Sequence, residues 1–258
     1  TLCTDLPATT KLVDVWLAAR STAVEMKKLT IEGGGYTWTD FIYDYSAIQS
    51  YVVTTNPDTT SIYSTAGELH IKNIRLVTAT LDVYAIHSWK TGVYLDTVHI
   101  EGYSGGAGET SGGALRIQGA EYPVGTGASA PSFKDVTVHN CCRGFRIQDS
   151  ARFYCTGCHT VNTTDNGLYF AAGSYTISTG CTDSSFVNSS VLNAGQCGIL
   201  MIGGSGNSVV DTTVEHTRGG GACFYNSNGV NTLSGVSFTD ANTAHTKSGW
   251  NGATDDFS

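Results

Sequence analysis

The sequence predicts an all-β chain wound as a right-handed single-stranded parallel β-helix, a solenoid, with an N-terminal capping α-helix. Three observations carry this. Seven short stretches look alike: Asn73-Ile-Arg-Leu76, Asp96-Thr-Val-His-Ile100, Asp135-Val-Thr-Val-His139, Gly157-Cys-His-Thr-Val161, Ser184-Ser-Phe-Val187, Asp211-Thr-Thr-Val214 and Gly235-Val-Ser-Phe238. Each alternates apolar and polar residues with the period of a strand. Between most of them lies a second short apolar strand opened by Gly or Ala, as in Ala114-Leu-Arg-Ile-Gln118 and Gly144-Phe-Arg-Ile-Gln148. A repeat of about 20–30 residues made of strands and turns, with no repeated helix, is the pattern of a β-solenoid.

The elements follow in order. Thr10 reads as an N-cap, and Leu12, Val13, Trp16 and Leu17 follow at helical spacing, which predicts a helix over about residues 10–20. Residues 28–38 read as strand, glycine turn, strand. A solenoid end exposes apolar core and unpaired strand edges, so a helix laid over the first repeat serves as a lid. Regular repeats run over 62–245, after a cap and first strands in 1–40 and before a polar tail in 246–258. No linker or charge run divides the chain, so one domain over 1–258 is expected. Two irregular segments, 103–113 and 120–131, flank the strand Ala114–Gln118, and a third spans 171–183. Long loops on a regular scaffold are where binding groups are usually placed. The tail shows no capping helix, which leaves the chain open to being a fragment.

Charged residues make up 14% of the chain, Gly supplies 31 of 258 residues, and the net charge is −8. Sparse charge and abundant Gly suit tight turns that need left-handed backbone. The acidic balance argues against nucleic acid or an anionic membrane as partner, since both attract a basic face. No apolar run approaches the roughly 20 residues of a membrane span, so membrane insertion is not expected. The amino end has no charged stretch leading into an apolar one, so no secretory leader is read there.

Eight cysteines are present, and Cys155-Thr-Gly-Cys158 invites a zinc reading, but no second pair follows at ligand spacing. Thr156-Gly-Cys158 recurs as Thr179-Gly-Cys181. The plain expectation is a stack of small buried thiols, with a disulfide between neighbouring repeats as the alternative. No metal or cofactor is expected.

The opening helix followed by a Leu-x-Ile strand and a Gly-x-Tyr turn resembles the start of the pectate-lyase-like β-helix of bacteriophage tailspikes. Phe133-Lys-Asp-Val-Thr-Val-His-Asn140 followed by Gly144-Phe-Arg-Ile147 resembles the repeats of the same superfamily. The resemblance covers most of the chain. It implies a receptor-binding protein of a virion tail, or another extracellular protein, that recognises a bacterial polysaccharide as a homotrimer. It carries over no catalytic residue, because the superfamily hosts lyases, hydrolases, epimerases and non-catalytic binders.

Alternation places the candidate site. If Ile86, Leu115, Phe145, Leu168, Ile199 and Ala222 point inward, the next residues form an outward column: His87, Arg116, Arg146, Tyr169, Leu200, Cys223. Two residues on, a second column reads Trp89, Gln118, Gln148, Ala171, Ile202, Tyr225. Aromatic rings cover sugar faces, and Gln and Arg pair with hydroxyls and carboxylates. His87, Trp89, Gln118, Gln148 and Tyr169 are therefore candidates for binding substrate. The bland alternative is a solvated sheet with cross-strand ladders. Catalysis by hydrolysis needs two carboxyl groups, and Asp149, Glu109 and Glu121 are the candidates, with Asp165 also near. Elimination needs a base beside a neutralised uronate, a role open to Arg116, Arg146 or His87. Leu200, Ile202, Cys223 and Tyr225 form an apolar stretch that suggests a subunit contact. On the other strand, His99 and His139 could hold a metal, though a hydrogen-bonded ladder is the ordinary reading, and Val98, Val138, Val161 and Val187 are expected to stack inward. The favoured reading is a tailspike-like protein that binds a bacterial surface polysaccharide, with depolymerisation open. Its competitors are a stand-alone lyase or hydrolase and a structural or adhesive solenoid.

Overall fold

The computed structural model describes residues 28–39, 46–51, 68–79, 84–89, 92–103, 112–119, 130–172, 180–225, 230–241 and 254–255. They form strands and connections with no helix. The helix expected over 10–20, Cys3, Glu109, Glu121 and most of the three irregular segments and of the tail lie outside the described residues.

The strands make two sheets, one of 13 strands and one of 8. Every pairing is parallel except that of Thr254–Asp255 with Ala222–Tyr225. Each repeat sends one segment to the first sheet and the next to the second. Glu68–Val77 pairs with Gly92–Glu101, and that with Ser132–His139. In the second sheet Tyr84–Trp89 pairs with Gly113–Gln118, and that with Phe145–Gln148. In the first sheet from Glu68 onward, residues paired across neighbouring strands lie 22, 23, 24, 31 or 38 positions apart. The two longest offsets contain the irregular segments, so the extra residues sit in connections and leave the strands in register.

Left-handed residues set the corners. Asn73, Thr97, Asp135, Gly157, Asn188, Asp211 and Gly235 occupy one corner of seven successive repeats, all with φ between 47° and 65°. Gly102, Asn140, Asn162, Asn193, His216 and Asp240 form a second such column. Asn, Asp and Gly tolerate this conformation best. Asn162 donates to Asn140 at 3.0 Å, and Asn193 donates to Asn162 at 2.9 Å, so side chains stack along the corner as a ladder.

The core lies between the sheets. Ile86, Leu115, Phe145, Leu168, Ile199 and Ala222 stand in one row of the second sheet, and all are buried, as alternation requires. Phe145 packs at 6.1 Å from Phe133 and 5.9 Å from Phe186, both from the first sheet. The glycines that open the second-sheet strands let the sheets approach. A Cβ at Gly144 would lie 2.5 Å from Thr160 Cγ2, and one at Gly198 would lie 2.3 Å from Val214 Cγ1.

The first-sheet register differs from the expected one. Val98 pairs with Val136, and Val138 pairs with Ile100. Val161 and Val187 are half-buried on the outer side, while Thr160 and Phe186 fill the core beside them. The cause is the left-handed corner inside each first-sheet segment. It restarts the alternation, so segments that look alike in sequence are offset by one or two residues in space.

The cysteines also divide differently. Cys155 and Cys158 form a disulfide across the Gly157 corner, and Cys197 joins Cys223 in the neighbouring repeat. Cys141, Cys142 and Cys181 are free and buried. Thr156-Gly-Cys158 and Thr179-Gly-Cys181 are not equivalent, because Ser189 takes the place of Cys158 in the next repeat.

Candidate functional site

The outer face of the second sheet assembles the expected column by main-chain pairing alone. His87 pairs with Arg116, Arg116 with Arg146, Arg146 with Tyr169, Tyr169 with Leu200, and Leu200 with Cys223. Beside it, Trp89 pairs with Gln118, Gln118 with Gln148, and Gln148 with Ala171. The Arg116 Nε donates to Gln148 Oε1 at 3.0 Å, which ties the two columns together.

A third column, missed in the sequence, precedes them. Tyr84, Gly113, Arg143, Asn166 and Cys197 hold the position just before Ala85, Ala114, Gly144, Gly167 and Gly198. The small residue that follows each of them could have revealed the column. Gly113 has no side chain, and a Cβ there would meet Arg143 Cβ at 3.3 Å and Tyr84 Cε1 at 3.4 Å. Tyr84 and Arg143 thus approach across it. Arg146 Nη1 donates to the Tyr84 hydroxyl at 3.4 Å, and its guanidinium lies 5.4 Å from the centre of the Tyr169 ring. The Tyr84 and His87 rings are 5.5 Å apart.

Charge on this face is uneven. Arg143 is buried and pairs through Nε with Asp165 Oδ2 at 2.5 Å. Asn166 donates to the other Asp165 oxygen at 2.7 Å and accepts from the Cys197 N–H at 3.1 Å. Arg146 makes no ion pair among the described residues. The buried Nη1 of Arg143 and Nε of Arg146 find no acceptor there either. His87 is 8% exposed. Burial first, and then the fields of Arg116 and Arg146, pull its pKa down from 6.5 to about 3. The imidazole is therefore neutral at ordinary pH.

Two expectations are corrected here. The face is less open than alternation alone implies: Gln148 and Tyr169 are buried, while Arg116, Gln118 and Arg146 are half-buried. Leu200, Ile202 and Cys223 are buried within the single chain and pack with Tyr169, Ala171, Cys197 and Tyr225. That stretch is a small second core and gives no evidence of a subunit contact. Asp149 stands past the end of its strand with φ 43°, half-buried at the corner.

On the first sheet, His99 and His139 are diagonal neighbours with rings 5.0 Å apart. The His99 ring nitrogens are engaged by Thr137 Oγ1 at 2.7 Å and Glu101 Oε2 at 3.3 Å. Arg75 donates to the same Glu101 oxygen at 2.6 Å. Hydrogen bonds from Arg75 and His99 hold the Glu101 carboxyl below its usual range, and burial lowers His139. Among the described residues no group of three metal-ligating side chains could hold an ion.

No protein-family model matches the chain, no curated protein matches it, and no solved structure matches it.

Proposed function

We propose that the chain is a right-handed parallel β-helix of the pectate-lyase-like kind found in phage tailspikes, and that it binds a bacterial surface polysaccharide bearing acidic sugars. The observation that supports this best is the pairing of Arg116 with Arg146 on adjacent strands, with Arg146 making no ion pair among the described residues. Two guanidinium groups at neighbouring strand positions, about 4.8 Å apart at the backbone, can give one carboxylate charge-assisted hydrogen bonds from both sides. Gln118 adds a half-buried amide beside that anion position, while the buried Gln148 holds Arg116 and the buried Tyr84 and Tyr169 hold Arg146. Location outside the cell, on a virion tail or secreted, fits two disulfides, which persist in oxidising surroundings. A homotrimer remains part of the proposal on the strength of the resemblance alone, since Leu200 and Ile202 no longer argue for it.

A second reading, a structural or adhesive solenoid without a glycan site, draws on the burial of half of this face and on the asparagine ladder. The test separates them. The parent chain, Arg116→Ala and Arg146→Ala are titrated against a panel of acidic and neutral bacterial polysaccharides. Losing a charge-assisted contact worth roughly 1.5–3 kcal/mol lowers affinity by about one to two powers of ten. Glu215→Asn, on the first sheet, leaves binding unchanged. Arginine variants that bind like the parent move the site off this face, and a parent that binds no member of the panel favours the structural reading.

A further inference from the structure

We propose that the second sheet binds a small monovalent anion of the chloride class, held by Arg143 Nη1, Arg146 Nε and the Tyr84 hydroxyl. The proposal is independent of the glycan reading, because its donors are buried atoms and its ligand is a single atom.

The donors are unspent. Arg143 is 3% exposed, and its Nε is taken by Asp165. Its Nη1 is buried and finds no acceptor among the described residues, and the same holds for Nε of Arg146. Tyr84 is 4% exposed. Its hydroxyl oxygen accepts from Arg146 Nη1 at 3.4 Å, so its own proton remains to be donated. A buried donor without an acceptor is costly, most of all when it carries charge.

Three successive strands bring these groups together. Tyr84 opens one, Gly113 opens the next, and Arg143 leads into the third, which carries Arg146. Gly113 has no side chain, so the Tyr84 ring and Arg143 close over it: a Cβ there would lie 3.3 Å from Arg143 Cβ and 3.4 Å from Tyr84 Cε1. Arg146 meets the same ring at its hydroxyl. Both orphan guanidinium donors therefore belong to side chains gathered round one phenol.

Charge and hydrogen-bond chemistry both select an anion. Burial works against the Arg143 charge, but Asp165 outweighs burial and Tyr84 adds to it, so the pKa is raised and the group stays charged. Asp165 belongs to Arg143, while Arg146 makes no ion pair among the described residues. A water that accepted two of these protons would have two of its own to give. The acceptors beside it are already engaged: Asp165 by Arg143 and Asn166, Gln148 Oε1 by Arg116, and the Tyr84 oxygen by Arg146. Chloride accepts from every side and donates nothing. A single-atom ion also reaches buried donors that a carboxylate on a sugar chain does not.

The experiment uses the full chain. Sodium chloride replaces sodium gluconate at constant ionic strength, so that screening by salt stays fixed. The thermal midpoint should rise by a few degrees and level off as the site fills. The chloride NMR line should broaden with the protein and sharpen again on adding bromide. Arg146→Lys keeps the charge but loses the Nε–H, and should abolish both the rise and the broadening. Lys134→Gln removes an exposed cation from the first sheet and should keep both. In crystals soaked in bromide, the anomalous signal should place an ion within hydrogen-bonding reach of Arg143 Nη1 and Arg146 Nε. A midpoint equal in gluconate and chloride, an unbroadened chloride line, bromide only at other positions, or Arg146→Lys responding like the parent overturns the proposal. Should Arg146→Lys not fold, the chloride line and the bromide position in the parent decide. None of these outcomes bears on the glycan reading, which the polysaccharide titrations decide.

Discussion

Asp135 and Gly157 hold the same corner of successive repeats, and a Cβ on Gly157 would lie 2.5 Å from Asp135 Oδ1. The corner is left-handed at both, with φ 51° and 64°. Gly157→Ala combines left-handed strain, roughly 1–2 kcal/mol for an L-residue, with that clash. We expect a loss of about 2 kcal/mol in denaturant unfolding. Gly35→Ala is the control, because Gly35 is also left-handed but a Cβ there meets nothing within 4 Å. Equal losses at both sites would show that the side-chain stack along the corner adds nothing.

Thr97 occupies that corner two repeats earlier, with φ 56°. A β-branched residue is poorly suited to this backbone. Thr97→Asn should stabilise the fold by about 1 kcal/mol, seen as a higher urea midpoint with unchanged slope. A destabilised variant would mean that the Thr97 hydroxyl, which donates to Asp96 at 3.2 Å, matters more than the backbone strain.

Arg143 and Asp165 are both buried, and removing one partner strands the other. Asp165→Asn should cost about 3–5 kcal/mol, as is usual when one member of a buried pair is lost. The double variant Arg143→Met with Asp165→Leu should recover much of that loss. Urea unfolding of the two singles and the double closes the cycle, and a double variant as unstable as the sum of the singles would contradict it.

Leu200 is 3% exposed and packs beside Tyr169 and the Cys197–Cys223 disulfide. Leu200→Glu therefore acts on the fold of one chain, where an unpaired buried charge costs several kcal/mol. The thermal midpoint should fall sharply while the sedimentation of whatever remains folded is unchanged. A variant that stays stable and only dissociates would restore the subunit-contact reading.

The second sheet was legible in the sequence because its strands are short, straight and opened by Gly or Ala, so one alignment on Leu115 and Phe145 carried the whole outward column. The first sheet was not. Its segments each contain a left-handed corner whose identity varies among Asn, Thr, Asp and Gly, and matching Val98 to Val138 ran across it. Arg143 escaped because it sits one residue before the apparent start of its strand. The burial of Leu200 was unreadable from periodicity, which tells which side of a sheet a residue takes and says nothing of what covers that side.

His87 gives the fold a pH dependence whose sign can be worked out. Its folded pKa is about 3, against 6.5 for the free side chain. Below pH 6.5 the unfolded chain therefore takes up a proton that the folded chain refuses. Stability from this group is complete above pH 6.5 and declines as pH falls toward 3, by about 1.4 kcal/mol per pH unit once well below 6.5. Between pH 7 and 5 the decline is about 2 kcal/mol. His139, also lowered by burial, acts in the same direction and persists in a His87 variant. Glu101, whose folded pKa is depressed, holds its contribution above its usual value of 4.5 and loses it only in stronger acid, outside this window. Urea unfolding of the parent and of His87→Gln at pH 7, 6 and 5 isolates the term. The parent should lose about 2 kcal/mol more than the variant across the series. Parallel curves would mean that His87 titrates normally in the folded chain, and hence that its imidazole is neither buried as described nor under the fields of Arg116 and Arg146.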